Sequence, residues 1–98
     1  MDIYLPRQID RKYFLELLSQ IEAIKSFDVD MIKDQDMITI VIKKFGETRL
    51  GFRESVEGSQ VKYTLVEENM AIFHKPFRSK IIEGLADVLK GIGGRVEF

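Results

Sequence analysis

Residues 27–73 read FDVDMIKDQDMITIVIKKFGETRLGFRESVEGSQVKYTLVEENMAIF. Short runs of alternating apolar and polar residues follow one another there, separated by turn signals. A period of two puts alternate side chains on opposite faces of a strand. Over 27–33, Phe27, Val29 and Met31 point one way, and Asp28 and Asp30 the other. After the turn at Lys33, Asp34, Gln35 and Asp36, Ile38, Ile40 and Ile42 share one face of a strand over 37–44. Met37, Thr39 and Val41 form its second, less polar face. Gly46 supplies positive φ for the next turn. Over 48–54, Leu50 and Phe52 face inward, and Arg49, Gly51 and Arg53 outward. The pair Glu57 and Gly58 marks a hairpin. Over 60–67, Val61, Tyr63 and Leu65 face inward, with Lys62 and Thr64 outward. A turn at 67–69 leads to an expected short sixth strand over 70–73. The stretch predicts a β-meander.

Amphipathic helices flank it. Before it, Ile9, Tyr13, Leu17, Ile21 and Ile24 recur at spacings of four and three, widened by Phe14 and Leu18, and predict a helix over 8–25. Residues 2–5 alternate as a short strand that Pro6 ends. After the meander, Phe77, Ile81, Leu85, Val88 and Leu89 form the stripe of a second helix. It is expected to open near Pro76 and stop at Gly91. Residues 95–98 are expected as a last edge strand or a loose end. The fold class is α+β. A single antiparallel sheet of four to six strands is expected, with an N-terminal and a C-terminal helix on one face, in the order β-α-β-β-β-β-(β)-α. Ile40, Leu50, Phe52, Tyr63, Leu65, Ile81, Leu85 and Leu89 are the expected core.

Composition narrows the function classes. Ninety-eight residues make one domain. The chain is 45% hydrophobic and 32% charged, which fits a folded globule and not a disordered tail. The net charge of -1 lacks the basic excess that phosphate-driven nucleic-acid binding uses. No cysteine is present, so disulfides, thiolate chemistry and Cys-based zinc sites are excluded. The longest apolar run, residues 37–42, is far short of the roughly 20 residues that span a bilayer. The N-terminus shows no signal-peptide pattern, and the cytoplasm is the expected compartment. Abundant Ile, Lys and Glu with a single asparagine, Asn69, make a thermophilic, archaeal source the expectation.

The order of elements is similar to the βαββββα arrangement of the helix-grip proteins (START and Bet v 1-like) and of each TATA-binding-protein repeat. The resemblance is one of topology. It implies a curved sheet gripping the C-terminal helix, in some members around an apolar ligand. No functional residue carries over from it.

Chemistry-bearing residues are few. His74 is the only histidine, and no serine stands in a nucleophile context. We expect His74 to be a partly exposed residue at a strand–helix junction. Asp28, Asp30, Asp34 and Asp36 lack the glycine and terminal glutamate of a calcium loop and read as a solvated face with an Asp-rich turn. Lys43, Arg49, Arg53 and Lys62 share the nominal outer face, where cross-strand ion pairing is expected. The glycines at 91, 93 and 94 follow a helix, whereas a phosphate cradle precedes one. Met31, Met37 and Met70 read as core filling.

These residues point to a non-catalytic binding module without cofactor or metal. One expectation is an apolar small molecule between the C-terminal helix and the sheet, lined by Ile40, Phe52, Tyr63, Phe77, Ile81 and Leu85. The alternative is a homodimeric interaction or assembly domain that pairs through Met37, Val41 and Val66 on the outer sheet face. Neither nucleic acid nor a membrane is an expected partner.

Overall fold

When antiparallel strands with period-two patterning pair in register, their apolar residues gather on one face, and helices must cover it. The computed structural model describes residues 1–97 and shows that arrangement. The chain runs β1 (Asp2–Pro6), α1 (Arg11–Ser19), β2 (Asp28–Asp34), β3 (Met37–Lys43), β4 (Glu47–Glu57), β5 (Gln60–Asn69), α2 (Arg78–Gly91) and β6 (Arg95–Glu97). Two 3-10 helices, Glu22–Ile24 and Ile72–Phe77, precede β2 and α2 respectively. All strands form one antiparallel sheet in the order β2-β3-β4-β5-β1-β6. Opposite pairs such as Ile40 and Leu50, Ile38 and Phe52, and Phe52 and Leu65 align the inner face. Phe14, Leu18, Ile81, Leu85 and Leu89 from the helices complete the core against Ile3, Ile38, Ile42 and Phe52.

Most of the expected core is buried; Leu50 and Leu65 are partly buried and pack against it. The first helix is shorter than its periodicity predicts. Asp10 caps it, accepting from the Lys12 N–H at 3.0 Å. It ends at Ser19, and Ile21 is extended (φ -61°, ψ 124°) before the 3-10 turn. Ile21 and Ile24 are still buried, because that turn returns them to the core. Ile21 lies against Gly84 of α2, where a β-carbon would collide with Ile21 Cγ2. The buried stripe is centred on Phe14 and Leu18, and Tyr13 is exposed.

One other expectation is corrected. Residues 70–73 are not a strand: β5 ends at Asn69, and Ile72 begins a 3-10 helix. The second helix stops at Gly91, as expected. Gly93 takes φ +82°, and the Gly94 N–H donates to the Leu89 carbonyl at 2.8 Å, closing the helix end. The open edge of β5 is covered by β1, and β6 then covers β1. The strand expected over 95–98 is found as Arg95–Glu97; Phe98 lies outside the described residues.

Candidate functional site

The residues expected to line a ligand pocket do not converge on one cavity. Ile40, Phe52, Ile81 and Leu85 border an apolar void of about 40 Å³. Tyr63 borders a second, of about 10 Å³, with Ile40 and Phe52. Sites for small organic ligands occupy roughly 300–1,000 Å³. Phe77 belongs to neither void. It is 41% exposed and lies at an open groove beside Ile21, Lys80 and Gly84.

The residues expected at a sheet interface are also dispersed in character. Val41 takes the outward register between Asp30 and Arg49, yet it is only 2% exposed. Met37 is half-buried. Val66 is exposed and sits at a β-bulge: Gly51 pairs with Glu67 and Phe52 with Leu65, leaving Val66 unpaired. The cations of the same face are neutralised. Lys43 and Arg49 pair with Glu47, Arg53 with Asp36, and Lys62 with Asp2 and Glu57. The hydrogen bond from Arg49 holds the Glu47 carboxyl below the ordinary carboxylate range. Among the described residues, no group of three or more His, Asp or Glu side chains gathers as a metal site. Asp30 accepts from the Met31 N–H at 2.8 Å, and Asp36 is in its pair with Arg53.

The main surprise is at the end of the sheet where the β3–β4 turn meets the 3-10 helix. His74, expected to be partly exposed, is 2% exposed. Its Nε2 lies 2.6 Å from the Lys44 carbonyl oxygen, which can only accept, so Nε2 carries the hydrogen. Its Nδ1 lies 2.6 Å from Thr48 Oγ1 and in the neutral ring accepts the Thr48 hydroxyl hydrogen. Thr48, itself buried, accepts the Ala71 N–H at 3.0 Å. Every polar atom of this chain is used, which is why an imidazole can be buried here. The Phe27 ring packs against His74 with centroids 5.1 Å apart and meets Phe77 edge-on at 6.4 Å.

This latch ties the β3–β4 turn to the segment before α2, and both carry exposed large apolar side chains. Phe45 is 81% exposed at the apex of the turn, Ile72 78% and Phe73 69%, with Phe77 beside them. The Lys44 ammonium lies 5.3 Å from the Phe27 ring centre and 5.9 Å from that of Phe45, and donates to Ser26 Oγ at 2.8 Å. The backbone is strained at this point. Phe45 has φ +53°, a region that bulky residues rarely enter. Gly46 follows at φ +138°, where a β-carbon would come within 2.9 Å of Ala71 Cβ. The sequence carried one signal of this cluster, the run Ile72, Phe73, His74, Lys75, Pro76, Phe77. Alternation makes the first part of that run look like a strand, and a strand would have buried half of it.

No known family model matches the chain, and no curated protein or solved structure matches it.

Proposed function

We propose that the protein is a non-catalytic interaction module whose docking surface is the apolar tip of Phe45, Ile72, Phe73 and Phe77. The observation that carries this reading is Phe45. It stands in a strained left-handed conformation and is 81% exposed, so it adds little to the core. Local rules favour Gly or Asn at such a position. A residue that violates local preference without a packing gain marks a functional position. Ile72, Phe73 and Phe77, on the segment that meets this turn, are exposed as well, and exposed apolar side chains gathered at one end of a molecule are the usual sign of an interaction surface. The alternative, an apolar ligand within the core, has less support. It requires α2 to swing away and enlarge a void of about 40 Å³.

Denaturant unfolding tests the reading. The triple variant Phe45→Ser, Ile72→Ser, Phe73→Ser should keep wild-type stability within about 1 kcal/mol, as exposed positions do. The core control Leu85→Ala should lose roughly 2–5 kcal/mol through cavity formation. A triple variant as damaged as the control would show that these side chains hold the fold together, and the docking reading would fall.

A further inference from the structure

Resting on that reading, we propose that the partner of the tip is a second copy of this chain, each tip seated in a groove of the other. Shape is the first argument. The tip is convex: Phe45 projects from the apex of a turn, and Ile72 and Phe73 from a 3-10 helix. Beside it lies an open groove of about 490 Å³ between the first 3-10 turn and α2, lined by Ile21, Ala23 and Gly84 among others. Phe77 belongs to both surfaces. The tip and the groove therefore adjoin, and a two-fold axis near Phe77 sets each tip against the other copy's groove.

Charge is the second argument. Lys44 and Lys75 flank the tip, and neither has a carboxylate partner among the described residues. The acids nearest the tip are held elsewhere. Glu47 and Glu68 pair with Arg49 and Arg78, Asp28 stands opposite Lys43, and Glu67 lies over Gly51 on the outer sheet face. The groove has the opposite sign. Glu22, Glu83 and Asp87 line it with Lys80, and these acids form no ion pair among the described residues. An acidic excess remains even when Lys25, at the end of the turn that carries Glu22, is counted with the groove. Docked tip to tip, two copies would bring their ammonium groups together. Docked crosswise, the ammonium groups of each copy meet the acids of the other. A partner of unrelated sequence would have to supply both halves of this match, whereas a second copy already carries them.

Area is the third argument. From the usual areas of such side chains, the four tip residues expose roughly 500 Å² of apolar surface. A standard pair buries about 800 Å² on each partner. About 57% of a standard interface is apolar, which is about 450 Å² for each side. The tip thus supplies the apolar share of one such interface, and the charged residues of the groove supply its polar rim.

Two charge-reversed variants test the arrangement. One reverses the tip (Lys44→Glu, Lys75→Glu) and the other the groove (Glu83→Lys, Asp87→Lys). As the concentration is raised, the wild-type mass in sedimentation equilibrium should climb from 11.4 kDa to twice that value and stop there. Raised salt should weaken the pair. Either variant alone sets like charges against each other and should pair roughly tenfold more weakly. An equal mixture of the two should pair as tightly as wild type, because the reversed tip meets the reversed groove and the natural tip the natural groove. The serine triple variant should stay at 11.4 kDa.

A wild-type mass fixed at 11.4 kDa at every concentration, with the triple variant as stable as wild type, overturns the second copy while leaving the tip as a docking surface. A pair that neither folded charge variant weakens, or that their mixture fails to regain, also overturns it. So does a mass that grows past doubling, since a two-fold pair closes on itself. Stability is compared at concentrations where wild type is a single chain, so that association does not enter it. A triple variant that is unfolded there removes the docking reading beneath the proposal, and the proposal with it.

Discussion

The two turns that close β4 obey opposite rules. At one end Gly58 and Ser59 connect β4 to β5, with Gly58 at φ +60° and open space where a β-carbon would stand. This is a two-residue loop with glycine at its first position, the local chemistry such hairpins prefer. At the other end Lys44, Phe45 and Gly46 connect β3 to β4. A phenylalanine there takes the positive φ, and the glycine after it is pressed against Ala71. Local preference alone explains the first turn. The second is held in place by its surroundings: the Lys44 carbonyl accepts from His74, and Thr48 holds the Ala71 amide. The strained conformation of Phe45 is thus held from outside the turn, and the proposed docking role gives it a use that the fold does not.

The sharpest way to break this contrast is to remove the latch. His74→Ala leaves the Thr48 hydroxyl hydrogen and the Lys44 carbonyl without partners in a buried site. At roughly 1–3 kcal/mol for each orphaned group, the loss should be about 4 kcal/mol. Hydrogen exchange should localise the damage. The Ala71 and His74 amides should lose protection first, and the β1–β5 ladder last. A loss below half a kcal/mol, or uniform loosening of the whole sheet, would mean that the latch does not hold the turn.

How much of this was legible follows from the same contrast. The meander, both helices and their common face are readable because period-two and period-3.6 patterning depends only on neighbouring residues. The Gly58 turn is readable for the same reason. His74 is not. Its burial depends on Thr48, 26 positions away, and on the carbonyl of Lys44, 30 away, and neither separation leaves a local trace. Val41 fails similarly: the alternation places it outward, and only the neighbouring strands cover it. Phe77 belongs to the helical stripe by spacing, but the helix proper begins at Arg78, so it falls at the tip instead of the core.

Alkali offers a probe of the opposite half of the sheet. Tyr63 lies opposite Glu54, near the Gly58 end, and is 9% exposed. Burial, reinforced by the Glu54 charge, pushes its phenol up to about 12 from an ordinary value near 10. The folded state therefore holds the proton more tightly than the unfolded one. Its contribution is complete below pH 10 and is lost as the pH rises toward about 12. The loss should approach roughly 2–3 kcal/mol in unfolding experiments. Lysines titrate over the same range, so the measurement is the difference between wild type and Tyr63→Phe. Parallel curves for the two proteins would sink the assignment. The latch amides should keep their relative protection throughout, since no group in the latch is coupled to Tyr63.

The smallest expected effect bears most directly on why the two turns differ. Phe45→Gly makes the strained turn resemble the relaxed one. It relieves the left-handed conformation, which costs a bulky residue about 1 kcal/mol or more. Against that stands the greater freedom of glycine in the unfolded chain, worth about 0.4–1 kcal/mol in the opposite direction. The aromatic contributes little burial to offset either quantity, since its ring is largely in water and its cation–π contact with Lys44 is exposed. The net change should be between zero and about 0.5 kcal/mol of stabilisation, by equilibrium unfolding. Stability gained when the ring is removed is the signature of a position kept for contact and not for folding. If Phe45→Gly instead lost more than 1 kcal/mol, the ring would be packing against the tip strongly enough to explain its own presence. The difference between the two turns would then be one of local packing alone.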